Sequence, residues 1–301
     1  MLQMRNEAFA IPLDFTWKVA RGGHRWVEES GKRYLCSVDA VEKPDWPGLF
    51  NRYQRVYRPL EERTGLFREF AELKPTDKQI LDFVDRYGLL DNTSNVSVRT
   101  SFGRRQVRGE SLEYWRVEIQ ALKTAITLWD SIGANRNEKL LDLREVLRSA
   151  RLPLLAQERF HVGDSDPAMA ALSIIQTKTD EKLQQHVVIR LIFSDAGPGL
   201  RRSLQPQNLL GALWLQLAAS LEGSKTFPKC AECGSPFEIS HARKTGKRTD
   251  ARFCDVRCRV NHSRSRQKQA RRMHDAGRSE REIARELKTQ LKVVKGWVGG
   301  H

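Results

Sequence analysis

The amino-acid sequence predicts an α+β protein: a predominantly helical body with a few antiparallel strands, followed by a small cysteine-rich module and a C-terminal helical segment. Three observations support this fold class. Apolar residues recur at helical spacing through much of the first 224 positions, four of the five cysteines fall within 29 residues, and the positive charge is concentrated towards the C-terminus.

Length and composition limit the class of protein. A chain of 301 residues typically forms about two domains, and a hydrophobic content of 40% is sufficient for a core. Five cysteines are too few and too clustered for a disulfide framework. The best candidate for a membrane span, Leu209–Leu221, is interrupted by Gln216 and Ser220, and Met1–Ala10 is charged where a signal peptide would be apolar. We therefore expect a cytoplasmic protein without a membrane segment.

The net charge of +15 is unevenly distributed. From Lys225 to the C-terminus there are 20 Lys and Arg against 8 Asp and Glu, a net charge of +12, which leaves +3 for the first 224 residues. A nearly neutral body with a basic tail is typical of a protein that binds a polyanion, although a solubilising tail would have the same charge pattern.

The N-terminal part predicts strands and loops. Trp26–Val27 and Tyr34–Cys36 flank the pair Ser30-Gly31, which is typical of a β-hairpin. Residues 41–59 hold three prolines and a glycine, and they therefore predict irregular structure.

Helical patterns dominate the next part of the chain. One apolar face is predicted over Leu66–Leu73. Thr76–Gln79 has the spacing of a capping box ahead of a second helix, which Gly88 ends. A long helix is predicted from its cap, Ser111, to Trp129.

The rest of the body mixes loop, helix and strand signals. Residues 91–110 are polar with a run of arginines and predict a loop, and residues 140–147 predict a helix. His186–Phe193 is β-branched and alternating, which predicts a strand. Ser173–Lys178 fits either its hairpin partner or a helix. Leu209–Leu221 is apolar almost all round and predicts a buried helix.

The four clustered cysteines have the spacing of a metal site. Cys230-Ala-Glu-Cys233 is separated by 20 residues from Cys254-Asp-Val-Arg-Cys258. Two thiolates can hold one ion from a tight turn, and two more at positions i and i+4 lie on one face of a helix. This pattern is typical of zinc bound by four sulfurs, and Gly234 suits the cramped turn.

The segments around the cysteines predict the order of a treble-clef zinc finger, which this module resembles. We expect a cysteine turn, a hairpin over Pro236–Ser240 that returns near Thr249–Phe253, and a helix starting at Asp255. Four thiolates fill a tetrahedral shell, which predicts a structural Zn²⁺ ion. His241 and His262 are spare ligands.

Other interpretations of these residues remain open. The cysteines could be unligated, could hold an iron–sulfur cluster, or could include a redox dithiol at Cys230–Cys233, although no thioredoxin-like βαβ pattern surrounds that pair. Asn261-His262 resembles part of the HNH nuclease motif. Such a nuclease needs a further histidine on the hairpin, for which His241 is the candidate. Cys36 fits a buried free thiol.

The helix after the cysteines carries many basic residues and few acidic ones, which favours contacts with phosphates over a solvated face. The side chains predicted to bind nucleic acid are Arg257, Arg264, Arg266, Lys268, Arg271 and Arg272.

The last residues predict two short helices. Ser279–Glu282 is a capping box, and apolar residues at helical spacing follow over Ile283–Leu287 and again over Leu291–Val298. This pattern resembles the helix-turn-helix of resolvase-like and homeodomain-like DNA-binding domains. The resemblance implies a recognition helix that starts near Gln290, and the side chains able to reach bases or phosphates would be Gln290, Lys292, Val293 and Lys295.

The region from Lys229 to about Arg272 resembles the zinc-finger tail of bacterial CGNR-type proteins, which are predicted transcription regulators. The CGNR tetrapeptide is replaced here by Cys258-Arg-Val-Asn261, and the helix-turn-helix is not part of that tail. The body is similar to a group of uncharacterised bacterial proteins, which implies a bacterial origin but no activity. The segments that carry this similarity are Tyr57–Glu62, Gly65–Leu73, Arg86–Leu90 and Leu209–Gln216.

These observations predict three parts: a regulatory or partner-binding body over residues 1–224, a four-cysteine zinc finger over 225–262, and a basic helix with a helix-turn-helix over 263–301. The function they favour is sequence-specific DNA binding by a transcription regulator, with a homodimer as the expected reader. The alternative is an adaptor that binds RNA or protein without sequence readout. The body has no phosphate loop, nucleophile elbow or metal-spaced His/Asp/Glu set, so we do not expect an enzyme.

Overall fold

The structure is a computed structural model that describes residues 15–42, 54–91, 94–100, 103–134, 167–193, 199–222, 225–240 and 250–299. The chain divides into two compact units, Met1–Gly223 and Ser224–His301. Both units combine helices with antiparallel sheets, so the fold class is α+β as predicted. Among the described helices, none has the length and apolarity that a membrane span requires.

The described residues form ten strands, all paired antiparallel. The strands are β1 (Trp17–Ala20), β2 (His24–Glu29), β3 (Lys32–Ser37), β4 (Gln54–Tyr57), β5 (Asn95–Thr100), β6 (Gly103–Ser111), β7 (Val187–Phe193), β8 (Leu200–Pro206), β9 (Lys225–Thr226) and β10 (Ile239–Ser240). They make a four-stranded sheet in the order β2-β3-β6-β5 and three two-stranded sheets, β1-β4, β7-β8 and β9-β10.

Ten helices are described as well. They are α1 (Val38–Glu42), α2 (Pro59–Glu62), α3 (Leu66–Ala71), α4 (Asp77–Tyr87), α5 (Leu112–Ala134), α6 (Pro167–His186), α7 (Leu209–Leu221), α8 (Val256–Asp275), α9 (Glu280–Glu286) and α10 (Leu291–Val298). The first seven belong to the N-terminal unit and the last three to the C-terminal unit.

Several predictions for the N-terminal unit that depend on residues close together in the sequence are confirmed. The β2–β3 hairpin turns at Ser30 and Gly31, whose φ angles of 51° and 72° are both left-handed. Thr76 accepts a hydrogen bond from the backbone of Gln79 and so caps α4, although the Gln79 side chain accepts from Lys74 rather than from Thr76. Gly88, at a φ of 89°, ends that helix.

The prediction of a loop over residues 91–110 is wrong, because β5 and β6 form a hairpin there. Val96 pairs with Val107, and both pack with Val98 and Cys36 in the core of the four-stranded sheet. The valines alternate with polar residues, which is the pattern of a half-buried strand. The many arginines on the other face hid this alternation.

Two other predictions are also corrected. Within the segment predicted to be irregular, Gln54–Tyr57 form β4, which pairs with β1. Residues 43–53 of that segment lie outside the described residues. The strand over His186–Phe193 is confirmed as β7, but its partner is β8, and Ser173–Lys178 lies within α6. The helix predicted over residues 140–147 lies outside the described residues.

The helix α7 is buried as predicted, and its one strongly polar side chain connects it to its neighbours. The Gln216 side chain accepts from the backbone N–H of Phe67 at 3.1 Å and donates to the carbonyls of Pro59 and Arg63 at 3.0 and 2.8 Å. The Pro59 and Arg63 carbonyls also accept from the backbone N–H groups of Arg63 and Leu66, whereas the Phe67 N–H, in the first turn of α3, takes its partner from the Gln216 side chain.

Replacing Gln216 by leucine should therefore destabilise the body by about 1–3 kcal/mol, because the Phe67 N–H would lose its partner without regaining water. Urea unfolding of the full chain measures this change. The matched control is Gln120→Leu on the exposed side of α5, which should change the stability by less than about 0.5 kcal/mol. Equal midpoints for the two variants would contradict the argument.

Candidate metal centre

The first cysteine pair sits in a tight turn closed by backbone hydrogen bonds. The Gly234 N–H donates to the carbonyl of Cys230 at 2.9 Å, and the Cys230 N–H donates to the carbonyl of Ser235 at 3.0 Å. Gly234 has a φ of 73°, a conformation that favours glycine. The turn therefore holds Cys230 and Cys233 on one side.

The strands that flank this turn correct the predicted hairpin. Lys229 bridges to Pro236, and the same ladder continues outward, where β9 pairs with β10. Ile239 and Ser240 thus pair with residues before the cysteine turn and not with a return near residues 249–253. The closed cysteine turn already brings Lys229 and Pro236 together, so each residue pair further from the turn forms next to one that is already paired. This pairing therefore costs little additional loop entropy. Arg252 contributes by accepting from the Ala231 N–H at 2.9 Å through its carbonyl.

The second cysteine pair is positioned by the start of α8. Asp255 is the N-cap, as predicted, and its carboxylate accepts from the backbone N–H of Cys258 at 2.6 Å. Cys254 precedes the cap and Cys258 lies in the first turn. The cap therefore sets both thiols towards the cysteine turn.

All four Sγ atoms lie within 4.8 Å of one another, as a metal site requires. The Sγ atoms of Cys233 and Cys254 are 3.6 Å apart, and those of Cys254 and Cys258 are 3.4 Å apart. Sulfurs about 2.3 Å from a common ion at the corners of a tetrahedron are about 3.8 Å apart, so the observed cluster fits one ion. Cys36 belongs to the other unit, where burial raises its thiol pKa to about 11.

The electrostatics of the cluster favour a cation. Burial raises the pKa of Cys230, but N–H donors from Cys233, Cys254 and Glu232 outweigh it and hold that pKa at about 6. Burial raises the pKa of Cys254 to about 11, and the sulfurs of Cys230 and Cys233 add to this shift although that of Cys258 opposes it. Burial also raises the pKa of Cys258, and the sulfurs of Cys233 and Cys254 add to that shift. Backbone donors thus stabilise one thiolate, whereas four thiolates at these distances need a positive ion between them.

The side chains around the cysteines form a small shell. Phe237 and Ile239 are buried beneath the turn. His262 bonds to the carboxylate of Glu232 at 3.2 Å and packs its ring on Phe253 at 5.1 Å. Within the described residues the cluster contains cysteines alone, so His262 supports the site from outside. His241, the other spare ligand and the histidine that the nuclease interpretation needs, lies outside the described residues.

The helix α8 runs without interruption from the cysteines to the C-terminal helices. Its inner face meets α9 and α10 at Ala270 and Met273. Two arginines on which we expected phosphate contacts hold this junction. Arg266 donates to the carbonyl of Leu287 and lies 5.7 Å from the centre of the Trp297 ring, and Arg271 donates to the carbonyl of Trp297 at 2.9 Å.

The other basic residues predicted on α8 are exposed: Arg257, Arg264, Lys268 and Arg272. At 3.6 residues per turn they fall within roughly a third of the helix circumference, on the side away from Ala270. No acidic residue interrupts α8 before Asp275. The result is a continuous basic stripe, by which we mean these four residues.

The helices α9 and α10 are held by terminal motifs. Ser279 and Glu282 form a reciprocal capping box, as predicted, with bonds of 3.4 and 2.9 Å. The turn into α10 is a Schellman motif, in which Thr289 N–H donates to the Ala284 carbonyl and Lys288 N–H to the Arg285 carbonyl. Lys288 adopts a φ of 47°, where glycine is usual.

The predicted inner and outer faces of α10 are separated as a helix-turn-helix requires. Val294 is fully buried, and Leu291, Trp297 and Val298 pack around it. The residues predicted to reach DNA are all exposed: Gln290, Lys292, Val293 and Lys295. Gln290 is the N-cap of α10, yet its side chain makes no capping hydrogen bond.

No family model, curated protein or solved structure matches this chain.

The full chain should bind one divalent ion through the four cysteines. With Co²⁺ as the probe, we expect one ion per chain and the absorption of a tetrahedral thiolate site. Cys233→Ala removes an exposed ligand and should weaken binding at least tenfold, whereas Cys36→Ala removes a thiol outside the cluster and should not change it. Equal binding by both variants would contradict the site.

Arg266→Ala should destabilise the helical end of the C-terminal unit by about 1–2 kcal/mol, since the Leu287 carbonyl loses its donor and Trp297 its cation. Arg264→Ala is the matched control, because Arg264 is exposed on the same helix. Hydrogen exchange of α9 and α10 measures the difference. Faster exchange in both variants, or in neither, would argue against this role for Arg266.

Proposed function

We propose that this chain is a zinc-containing DNA-binding protein that acts as a sequence-specific transcription regulator. The observation that carries the proposal is the outer face of α10, where polar and basic side chains project from a short helix whose opposite face is packed on α8 and α9. This arrangement resembles the recognition helix of a helix-turn-helix.

Zinc is the metal we assign to the four-cysteine cluster. Cys230, Cys233, Cys254 and Cys258 would hold it, and four thiolates fill its tetrahedral shell. A bound zinc ion supplies folding energy by joining the cysteine turn to the start of α8. Since no ligand position stays open for a substrate, we assign the ion a structural role and propose no enzymatic activity.

The outer face of α10 offers the side chains that read the major groove. Glutamine can bond to adenine through two atoms, lysine can donate to guanine or to phosphate, and a valine methyl can contact thymine. Gln290, Lys292 and Val293 supply these three chemistries at the start of the helix. In a helix-turn-helix, residues near that end of the recognition helix meet the bases.

The basic stripe of α8 would supply sequence-independent affinity. Its four exposed cations can each neutralise a phosphate, which releases counterions and makes binding dependent on salt. Arg266 and Arg271 have a different role in this proposal, because their contacts with Leu287 and Trp297 position α10.

The number of recognition helices in each chain is the basis for the oligomeric state that we propose. The described residues of each chain contain one candidate recognition helix, α10, and a single helix contacts only a few base pairs. We therefore propose that the protein binds DNA as a homodimer, with half-sites repeated in its operator.

The proposal is tested by selecting bound fragments from random and genomic DNA with the full, zinc-loaded chain at physiological salt. Enrichment of one sequence motif supports a regulator and identifies its operator. Binding that depends steeply on salt and enriches no motif would instead favour the alternative function, in which the basic stripe holds RNA or another partner without sequence readout.

Gln290→Ala should relax the preference at one position of that motif, at a cost of about 1–3 kcal/mol in discrimination against other bases. Gln269→Ala on the exposed surface of α8 is the matched control and should leave the motif unchanged. Repeating the selection with both variants measures this. An unchanged motif with Gln290→Ala would remove Gln290 from the base contacts.

A further inference from the structure

The hairpin of β5 and β6 has one face in the core and one in solvent. Its inner face carries Val96, Val98 and Val107, all buried. The outer face is made of three cross-strand pairs, in which every residue is polar or basic. These pairs are Asn95 with Arg108, Ser97 with Gln106, and Arg99 with Arg104. We call these six residues the basic ribbon.

The pair of Arg99 and Arg104 is costly for the isolated protein. Both side chains are exposed and stand directly opposite each other, and like charges in that position destabilise a sheet. Among the described residues, neither side chain makes an ion pair. The cost is understandable if an anion outside the chain approaches both cations.

The acidic side chains of the hairpin itself do not offset this charge, and the Glu29 carboxylate of β2 accepts from the backbone N–H of Ser97 at 3.0 Å. Glu110 is the one acidic residue between Asn95 and Ser111. It is buried, and its carboxylate accepts from the backbone N–H groups of Leu90 and Asp91 at 3.0 and 2.7 Å. Its charge is thus committed to the interior, at the opposite end of the hairpin from Arg99 and Arg104.

The chemistry of the face selects the class of partner. Protein interfaces usually contain apolar or aromatic anchors, and the outer face of the ribbon has none. Arginines interspersed with Asn, Ser and Gln are instead the side chains that contact phosphates and base edges. A two-stranded ribbon also fits the major groove of duplex DNA.

We propose that the basic ribbon is a second DNA-contacting surface, located in the body and separate in sequence from the C-terminal reader. Arg99 and Arg104 neutralise phosphates, and Ser97 and Gln106 lie beside them as hydrogen-bonding groups. This inference rests on the proposed function, because the C-terminal unit recruits the same DNA. It assigns to the body a direct part in binding.

The test measures how DNA affinity depends on salt for the full, zinc-loaded chain, with a mixed-sequence duplex of roughly four helical turns (~40 base pairs) as the probe. The double variant Arg99→Ala with Arg104→Ala should lower the slope of log affinity against log salt by about 1.8, which is the loss of two phosphate contacts. Arg99→Lys with Arg104→Lys keeps both charges and should retain most of the slope.

The matched control is Arg116→Ala with Lys123→Ala, which removes two exposed cations from α5 in the same unit and changes the net charge equally. It should leave the slope nearly unchanged. Urea unfolding of the alanine ribbon variant should give a midpoint equal to or above that of the wild type, because the like-charge pair is gone. This measurement separates loss of contact from loss of fold.

The outcomes distinguish this inference from the proposed function. If the wild type binds and the ribbon variant matches the α5 control, the ribbon is not a contact surface and the inference fails alone. If the wild type does not bind the duplex at all, both fail. A reduced slope confined to the alanine ribbon variant supports the inference.

Discussion

The contact among four sulfur atoms joins two separate segments of the C-terminal unit. They connect a turn at Cys230–Cys233 to the start of α8, although 20 residues separate the two pairs in the sequence. Among the described residues of this segment, the apolar side chains buried beneath the turn are few and include Phe237 and Ile239. A core of this size contributes little burial, so a metal ion bound by the four sulfurs would supply much of the folding energy of this segment.

The helix α8 connects the four sulfurs to the C-terminal helices. Cys258 lies in its first turn, and Ala270 lies in the core that it shares with α9 and α10. Because a helix without a break behaves as a rigid rod over this length, the metal site and the outer face of α10 have a defined relative orientation. Arg266 reinforces the far end by bonding to the Leu287 carbonyl and covering Trp297.

The sequence predicted features that depend on neighbours a few residues apart. The cysteine spacing, the caps at Asp255 and Ser279 and the turn at Ser30-Gly31 are of this kind, and the structure contains each of them. Pairings that involve weakly patterned or very short segments were missed. The strand β8 directly follows β7 along the chain, but its two arginines and Pro206 conceal the strand pattern. The strand Lys225–Thr226 is too short to show a pattern.

The contacts that Arg266 and Arg271 make with the other helices were not predicted, for a related reason. Density of charge along α8 indicated phosphate contacts, but it could not show which residues face the other helices. Arg266, Ala270 and Met273 follow helical spacing, so the apolar pair could have placed Arg266 on the inner face. In the β5–β6 hairpin the same emphasis on charge concealed the alternation of Val96 and Val98.

Two positions in the structure keep a positive charge at a cost in stability. Lys288 adopts a left-handed conformation, which costs a non-glycine residue about 1 kcal/mol, and it does so two residues before Gln290. In the N-terminal unit, Arg99 stands directly opposite Arg104 in the β5–β6 hairpin. Glycine in place of Lys288 would relieve the backbone strain. Threonine in place of Arg99 or Arg104 would relieve the repulsion between the two charges. A requirement for solubility alone would be met by lysines placed anywhere on the surface. Under the proposed function, an anionic partner at each of these positions would offset the cost in stability.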